Sequence, residues 1–200
     1  MVNNKIIKIA FSGKAGSGKN TAVNTIKKFF YKKRIWVKIF SFANPVKEIA
    51  RKYFPNLPRK YFFGKSSYRN HIIPNASDSN GNDLTVRKLL QDIGAYGRKY
   101  NENIWTDNII LETKKYDNGR ATYNNWALIV SDVRFINEFN VLKDNGFKII
   151  RIKRDVDILD DVSEKEQDLI PDVKFDYIID NNGSKKDLIE NLYKIYQDLI

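Results

Sequence analysis

The segment that most constrains this chain is residues 5–22, KIIKIAFSGKAGSGKNTA, an apolar run that passes into a glycine-rich loop and then into a helix-like stretch. Ile6 to Phe11 read as a buried strand, and Val23, Ile26 and Phe30 form the apolar stripe of the helix that follows. Between them, Gly13-Lys14-Ala15-Gly16-Ser17-Gly18-Lys19-Asn20-Thr21 carries three glycines. These permit positive φ and let consecutive backbone N–H groups converge on an anion. The amino end of the helix adds its positive dipole end at the same place. The loop is therefore expected to hold the phosphates of a nucleoside triphosphate, with Lys19 between the β- and γ-phosphates.

One position departs from the pattern GxxxxGK[ST]. Asn20 stands where a hydroxyl is expected, and Thr21 follows it. The register Gly-Lys-X-Thr is similar to that of adenylate kinase and its relatives, which makes the Thr21 hydroxyl the expected partner of phosphate or Mg²⁺. The competing reading is a glycine-rich turn without a ligand, and the agreement of strand, loop and helix speaks against it.

Composition narrows the chemistry. The 200 residues fit one α/β domain with a substantial core. There is no cysteine and one histidine, which excludes a disulfide framework and a thiolate metal site and leaves Lys, Arg, Asp, Glu and hydroxyls as the available groups. No apolar run approaches the roughly 20 residues that span a bilayer, so a soluble, cytoplasmic protein without a membrane partner is expected. The formal charge of +11 favours anionic partners in general. Abundant Asn, Lys and Ile resemble the usage of an AT-rich genome, so the basic excess is a poor guide to which anion.

Further strand-like runs occur at Ile35 to Phe40, Trp126 to Val130, Phe147 to Ile152 and Tyr177 to Ile179, giving five expected parallel strands. Ser184, Asp187, Leu188, Leu192, Ile195 and Leu199 predict a capped amphipathic helix at the end. Between the second and third strands lies an insert at about 42–125, with helices expected near 45–53, 83–99 and 103–115. Residues 55–82, rich in Pro, Gly, Ser and Asn, read as loop. The insert is where a second substrate would be gripped.

The candidates for chemistry follow. Asp132 ends the apolar run Trp126 to Val130 and is expected to face the phosphate site, where a carboxylate holds Mg²⁺ directly or through water. The plainer alternative is an Asp capping the next turn. Arg134 could neutralise charge on a phosphoryl group in flight, or pair with Glu138 one turn on. In the insert, a four-residue interval puts Arg87 and Gln91 on one helix face, with Arg98 near it. Arg69, in the loop before that helix, is a further candidate for a substrate phosphate. Arg151 and Arg154 precede a polar stretch that reads as a lid, about 154–172, whose closure would exclude water.

With these residues in place the chain resembles the bacteriophage deoxynucleoside monophosphate kinases, a branch of the P-loop nucleoside monophosphate kinases. The likeness rests on SGKAGSGKNT at 12–21, RKLLQDIGAYGRKYNENIW at 87–105, SDVRFINE at 131–138 and DYIIDNNGSKKDLIENL at 176–192, in family order. The family's GKDT is GKNT here, the Pro of DVRFPNE is Ile136, and LQxxGT becomes Leu90-Gln91-Asp92-Ile93-Gly94-Ala95, which lacks a threonine hydroxyl.

The resemblance implies a three-layer fold with strand order 2-3-1-4-5 and transfer of the γ-phosphoryl of ATP to a deoxynucleoside 5′-monophosphate. Lys19, Asp132 and Arg134 are implied as catalytic, Thr21 and Asp132 as Mg²⁺ ligands, and Arg69, Arg87, Gln91 and Arg98 as the acceptor site. ATP and Mg²⁺ are the implied cofactors. Small molecules rather than nucleic acid are the expected partners, and both a monomer and a homodimer stay open. Dephospho-coenzyme A kinase is the nearest rival, because it too joins a GSGK loop to a terminal Asp-Asn-Asn-Gly turn.

Overall fold

The computed structural model describes residues 6–117, 125–155 and 166–200. Its chain forms two compact units, Phe42–Trp105 and the remainder, Met1–Ser41 with Thr106–Ile200.

In the larger unit, β1 (Ile6–Ser12) leads through the glycine loop into α1 (Lys19–Lys32), which returns the chain to β2 (Trp36–Phe40). Three more parallel strands follow the insert, β5 (Trp126–Val133), β6 (Lys148–Lys153) and β7 (Tyr177–Asp180). The sheet order is β2-β5-β1-β6-β7, and every pairing is parallel. This is the 2-3-1-4-5 order expected for the five sheet strands. All carboxyl ends of the strands therefore lie on one edge, where open α/β sheets bind ligands.

Strand alternation divides the core. One face carries Ile7, Ile9 and Phe11 of β1 with Ala127, Ile129, Ile150 and Ile152, packed against Ile26 and Phe30 of α1 and Leu188, Leu192 and Tyr196 of α7 (Lys185–Leu199). The opposite side chains, among them Leu128, Val130 and Ile149, are fully buried as well, and Phe139 of α6 (Ile136–Asp144) meets Phe175 edge-on at 5.0 Å. Burial on both faces explains why these strands are nearly continuous apolar runs. Each fully buried Ile or Phe contributes about 1.5–3 kcal/mol. The terminal helix starts at the expected box, in which Ser184 Oγ accepts from Asp187 N and Asp187 Oδ2 accepts from Ser184 N.

Asp176 ties α6 to the sheet. Burial opposes its ionisation, but Lys143 Nζ at 2.8 Å, the Ile149 amide at 2.8 Å and Lys148 Nζ at 3.2 Å all donate to it and hold the carboxyl below its ordinary value of 3.8. A carboxyl depressed in the fold adds stability above its unfolded value and loses it as pH falls through the folded one. Asp176→Asn is expected to flatten the fall in melting temperature between roughly pH 5 and pH 2. An acid limb of unchanged slope in that variant would exclude the assignment.

The smaller unit holds α2 (Ala43–Tyr53), α3 (Lys60–Phe63), a 3-10 turn at Ser66–Asn70, a hairpin of β3 (Ile72–Ser77) and β4 (Asp83–Thr85), then α4 (Val86–Tyr100). The start of α5 (Ile104–Lys115) completes it. Residues 55–82, read from the sequence as loop, thus carry a short helix, the turn and β3, which pairs antiparallel with β4 just beyond. The strand was obscured by Pro74 and by Asn75, which adopts a left-handed φ of 58°. It forms because Ile73 and Leu84 close a small core with Ala50, Phe62 and Val86. No described helix is long and apolar enough to cross a membrane.

Candidate active site

Ser12 ends β1 buried, and the loop that follows is shaped by what surrounds it. Gly13 has φ 146° and Gly18 φ 103°. A Cβ on Gly13 would lie 2.4 Å from the Ile152 carbonyl oxygen, and one on Gly18 2.4 Å from Asn181 Nδ2. Both glycines are therefore dictated by conformation and by space.

Gly18 is the N-cap of α1, so among the described residues no side chain caps that helix, and its first turn holds no acidic residue. By contrast, Thr85 Oγ1 accepts from Lys88 N at the start of α4, and Glu138 Oε2 accepts from the amides of Arg134 and Phe135 before α6. The leading N–H groups of any helix lack intrahelical acceptors. Those of α1 are left with the positive end of the dipole to meet an anion. Among the described residues, Ser17 Oγ, buried in the same loop, has no hydrogen-bond partner. These features fit a polyphosphate. Lys14, Ala15 and Gly16 form the arch of the loop, and Asn20 and Thr21 lie exposed in the first turn of α1.

Lys19 Nζ donates to the carbonyl of Gly13 and, at 2.7 Å, to that of Lys14, which holds the ammonium against the loop. Two residues that the sequence did not single out grip the loop from outside. Asn181 Nδ2 donates to the Ser17 carbonyl at 2.8 Å, and Gln167 Oε1 accepts from the Gly13 amide at 3.1 Å. Asn181 stands in the Asn-Asn-Gly turn after β7, and its own amide donates to the Lys153 carbonyl at 2.7 Å. Its place in that signature was a usable signal. Gln167, 154 residues from its partner, offered none.

Asp132 sits on a local irregularity. From Ala10↔Val130 to Ser12↔Val133, β1 advances two residues and β5 three, so β5 bulges at 131–132, next to the strand that enters the loop. Bulges of this kind re-aim a side chain. Ser41 Oγ donates to Asp132 Oδ2 at 2.7 Å and Ser131 Oγ to the Phe40 carbonyl at 3.1 Å, which ties the bulge to the end of β2. Among the described residues no three His, Cys, Asp or Glu converge as a metal cage. Mg²⁺ commonly takes one or two carboxylates with phosphate oxygens and water, so Asp132 with Thr21 is a donor set that suits it. Arg134 follows the bulge, half-buried, and Glu138, 4 % exposed, is engaged by the two backbone amides at this turn.

Arg151 is built into the structure of residues 167–172. It donates to the carbonyls of Ile170 at 2.7 Å and Gln167 at 3.2 Å, pairs with Asp172 at 3.2 Å and lies 4.9 Å from the ring centroid of Phe175. The geometry gives it an anchoring role. Arg154 is exposed just after β6. Of the stretch read as a lid, residues 156–165 lie outside the described residues.

In the unit Phe42–Trp105, Arg87 Nε donates to Asn70 Oδ1 at 3.1 Å and its Nη2 to the Ser66 carbonyl at 3.4 Å. The guanidinium thus bonds both ends of the 3-10 turn that carries Arg69. Gln91 is exposed one turn along α4, and the Arg98 guanidinium folds back over Gly94. Trp105 is a core residue here. Its Nε1 donates to the Gly94 carbonyl at 3.1 Å, and its ring would meet a Cβ on Gly97 at 2.4 Å.

This chain is 28% identical over 194 residues to a protein of Acanthamoeba polyphaga mimivirus provisionally named a deoxynucleotide monophosphate kinase, with 94% of this chain and 93% of that one aligned. Solved structures similar to it include APE1195, at 14% identity and a TM-score of 0.49 over 98% of both chains. Another is a mutant of the Mycobacterium tuberculosis APS kinase CysC, at 11% identity and 0.44 over 96% of this chain and 98% of that one. The model of the family described as deoxynucleotide monophosphate kinase matches residues 59–194, more than half of the sequence and inclusive of Asp132, Arg134, Gln167 and Asn181. The chain belongs to the deoxynucleotide monophosphate kinase family.

Proposed function

We propose that this protein transfers the γ-phosphoryl group of ATP to a deoxynucleoside 5′-monophosphate, yielding ADP and the deoxynucleoside diphosphate. The observation that carries this reading is the amino end of α1, left without a side-chain cap or an acid, with Lys19 held against the loop that precedes it. Membership of the deoxynucleotide monophosphate kinase family supports a deoxynucleoside monophosphate as the acceptor.

In this reading the amides of residues 14–21 and the Lys19 ammonium bind the donor phosphates, and Thr21 and Asp132 hold Mg²⁺, with Ser41 fixing the carboxylate. The ion, when bound, offsets charge on the transferring phosphoryl. Arg134 adds a guanidinium to the same task. Arg69, Arg87, Gln91 and Arg98 bind the acceptor, the arginines its phosphate and Gln91 a base edge. No strong general base is required, because an ionised phosphate oxygen is already a nucleophile and catalysis is mostly alignment and electrostatics.

The test is a coupled assay with ATP, Mg²⁺ and each natural deoxynucleoside monophosphate, with dephospho-coenzyme A as a further acceptor. Turnover confined to dephospho-coenzyme A would overturn the acceptor assignment in favour of the rival kinase. DNA binding that weakens steeply with salt, without consumption of any monophosphate, would replace catalysis with a nucleic-acid role. Arg87→Ala is expected to raise KM for the monophosphate by at least about tenfold, the scale of a lost charge-assisted bond, and to leave KM for ATP within about twofold. Equal effects on both constants would remove Arg87 from the acceptor site.

A further inference from the structure

The phosphate loop is fastened by a residue outside the loop and outside the sheet strands, in the stretch that the sequence reads as a lid. Gln167 is 1% exposed, and its Oε1 accepts from the Gly13 amide at 3.1 Å. The residue beside it, Asp168, pairs with Lys14 of the loop at 2.9 Å. The segment is itself fixed, since Arg151 donates to the carbonyls of Gln167 and Ile170. Gln167 thus reaches the loop from a braced position.

The contact matters because of what lies on the other side of Gly13. The Gly13 carbonyl accepts from Lys19 Nζ. Its amide donates to Gln167, so one residue takes part in both bonds. Gly13 also stands at φ 146°, a conformation with neighbouring alternatives for glycine. A residue this permissive keeps one orientation only if something outside it selects that orientation. Asn181 restrains the far end of the loop through the Ser17 carbonyl, and no such bond from Asn181 reaches Gly13.

We propose that Gln167 is a positioning residue for nucleotide binding: by holding the Gly13 amide it orients the carbonyl that places the Lys19 ammonium at the donor phosphates. The inference rests on the reading of the loop as the ATP site. It is independent of which acceptor the enzyme uses.

The test is a double-mutant cycle on Gln167→Met and Lys19→Ala in the full-length protein, read by equilibrium binding of ATP and supported by melting temperatures. Methionine keeps the length and volume of glutamine and removes the acceptor. Gln167→Met is expected to weaken ATP binding by roughly tenfold, the scale of one buried amide left without its partner. In the Lys19→Ala background the same substitution is expected to have little further effect, because the group it positions is gone. Equal losses in both backgrounds, or wild-type affinity in Gln167→Met, would overturn the proposal. ATP binding with the expected cycle but no turnover of any monophosphate would leave this inference standing and sink the kinase reading instead.

Discussion

Lys19→Ala is expected to lower turnover at least about a hundredfold, the scale seen when a preorganised donor to a transition-state oxygen is removed. The ammonium lies against the carbonyls of Gly13 and Lys14 and is partly exposed, outside the apolar core. Its loss therefore removes charge from the loop without opening a cavity. A melting temperature within a few degrees of wild type, together with the collapse of phosphoryl transfer, is the expected pair of results. Near-normal kcat in a folded variant would refute the donor assignment, and with it the roles given to Thr21 and Asp132.

The second large effect comes from the loop's backbone. In Gly13→Ala the new methyl would stand 2.4 Å from the Ile152 carbonyl oxygen and 2.8 Å from Ser17 Oγ, at φ 146°. The carbonyl belongs to the backbone of β6, at a residue in register with Ile179 of β7, so it cannot swing aside as a side-chain tip would. Overpacking costs about 1–3 kcal/mol and a strained φ of this kind about 1–3 more. For a chain of this size that corresponds to a melting temperature lower by roughly 5–15 °C. Gly81 is the control. It also has positive φ, at 83°, yet a Cβ there would have nothing within 4 Å. Gly81→Ala is expected to lose only the backbone share. Equal losses at the two positions in thermal denaturation would show that the sheet contact does not decide the residue at 13.

Much of the donor half could be read locally. Strand, loop and helix are contiguous from Ile6 to Lys32, so periodicity and glycine spacing report on them directly. Three of the sheet strands, β1, β5 and β6, were legible because burial on both faces leaves long apolar runs, and the edge strands β2 and β7 because they stay mostly apolar though half exposed. The hairpin at 72–85 was not, because its residues are short of apolar character and β3 contains a proline. Nor was the bonding of Arg87 to both ends of the turn that carries Arg69, which depends on how Ser66–Asn70 returns to α4.

Arg151 shows the same limit from the other side. Its position after an apolar strand, before a polar stretch, is what a lid arginine would have. Its guanidinium gathers two carbonyls and two carboxylates of residues 167–172, at the end of that same stretch. Nothing within a few residues of Arg151 records those partners.

By itself the amino-acid sequence determined the glycine-rich loop, the strands and the terminal capped helix, because each depends on neighbours within about a turn or a strand length. Only the tertiary structure decided that Gln167 and Asn181 hold that loop, that Ser41 fixes Asp132 and that β5 bulges beneath it. These contacts join residues 91 to 164 positions apart, and the alignment of parallel strands that brings such groups together leaves no periodic trace along the chain.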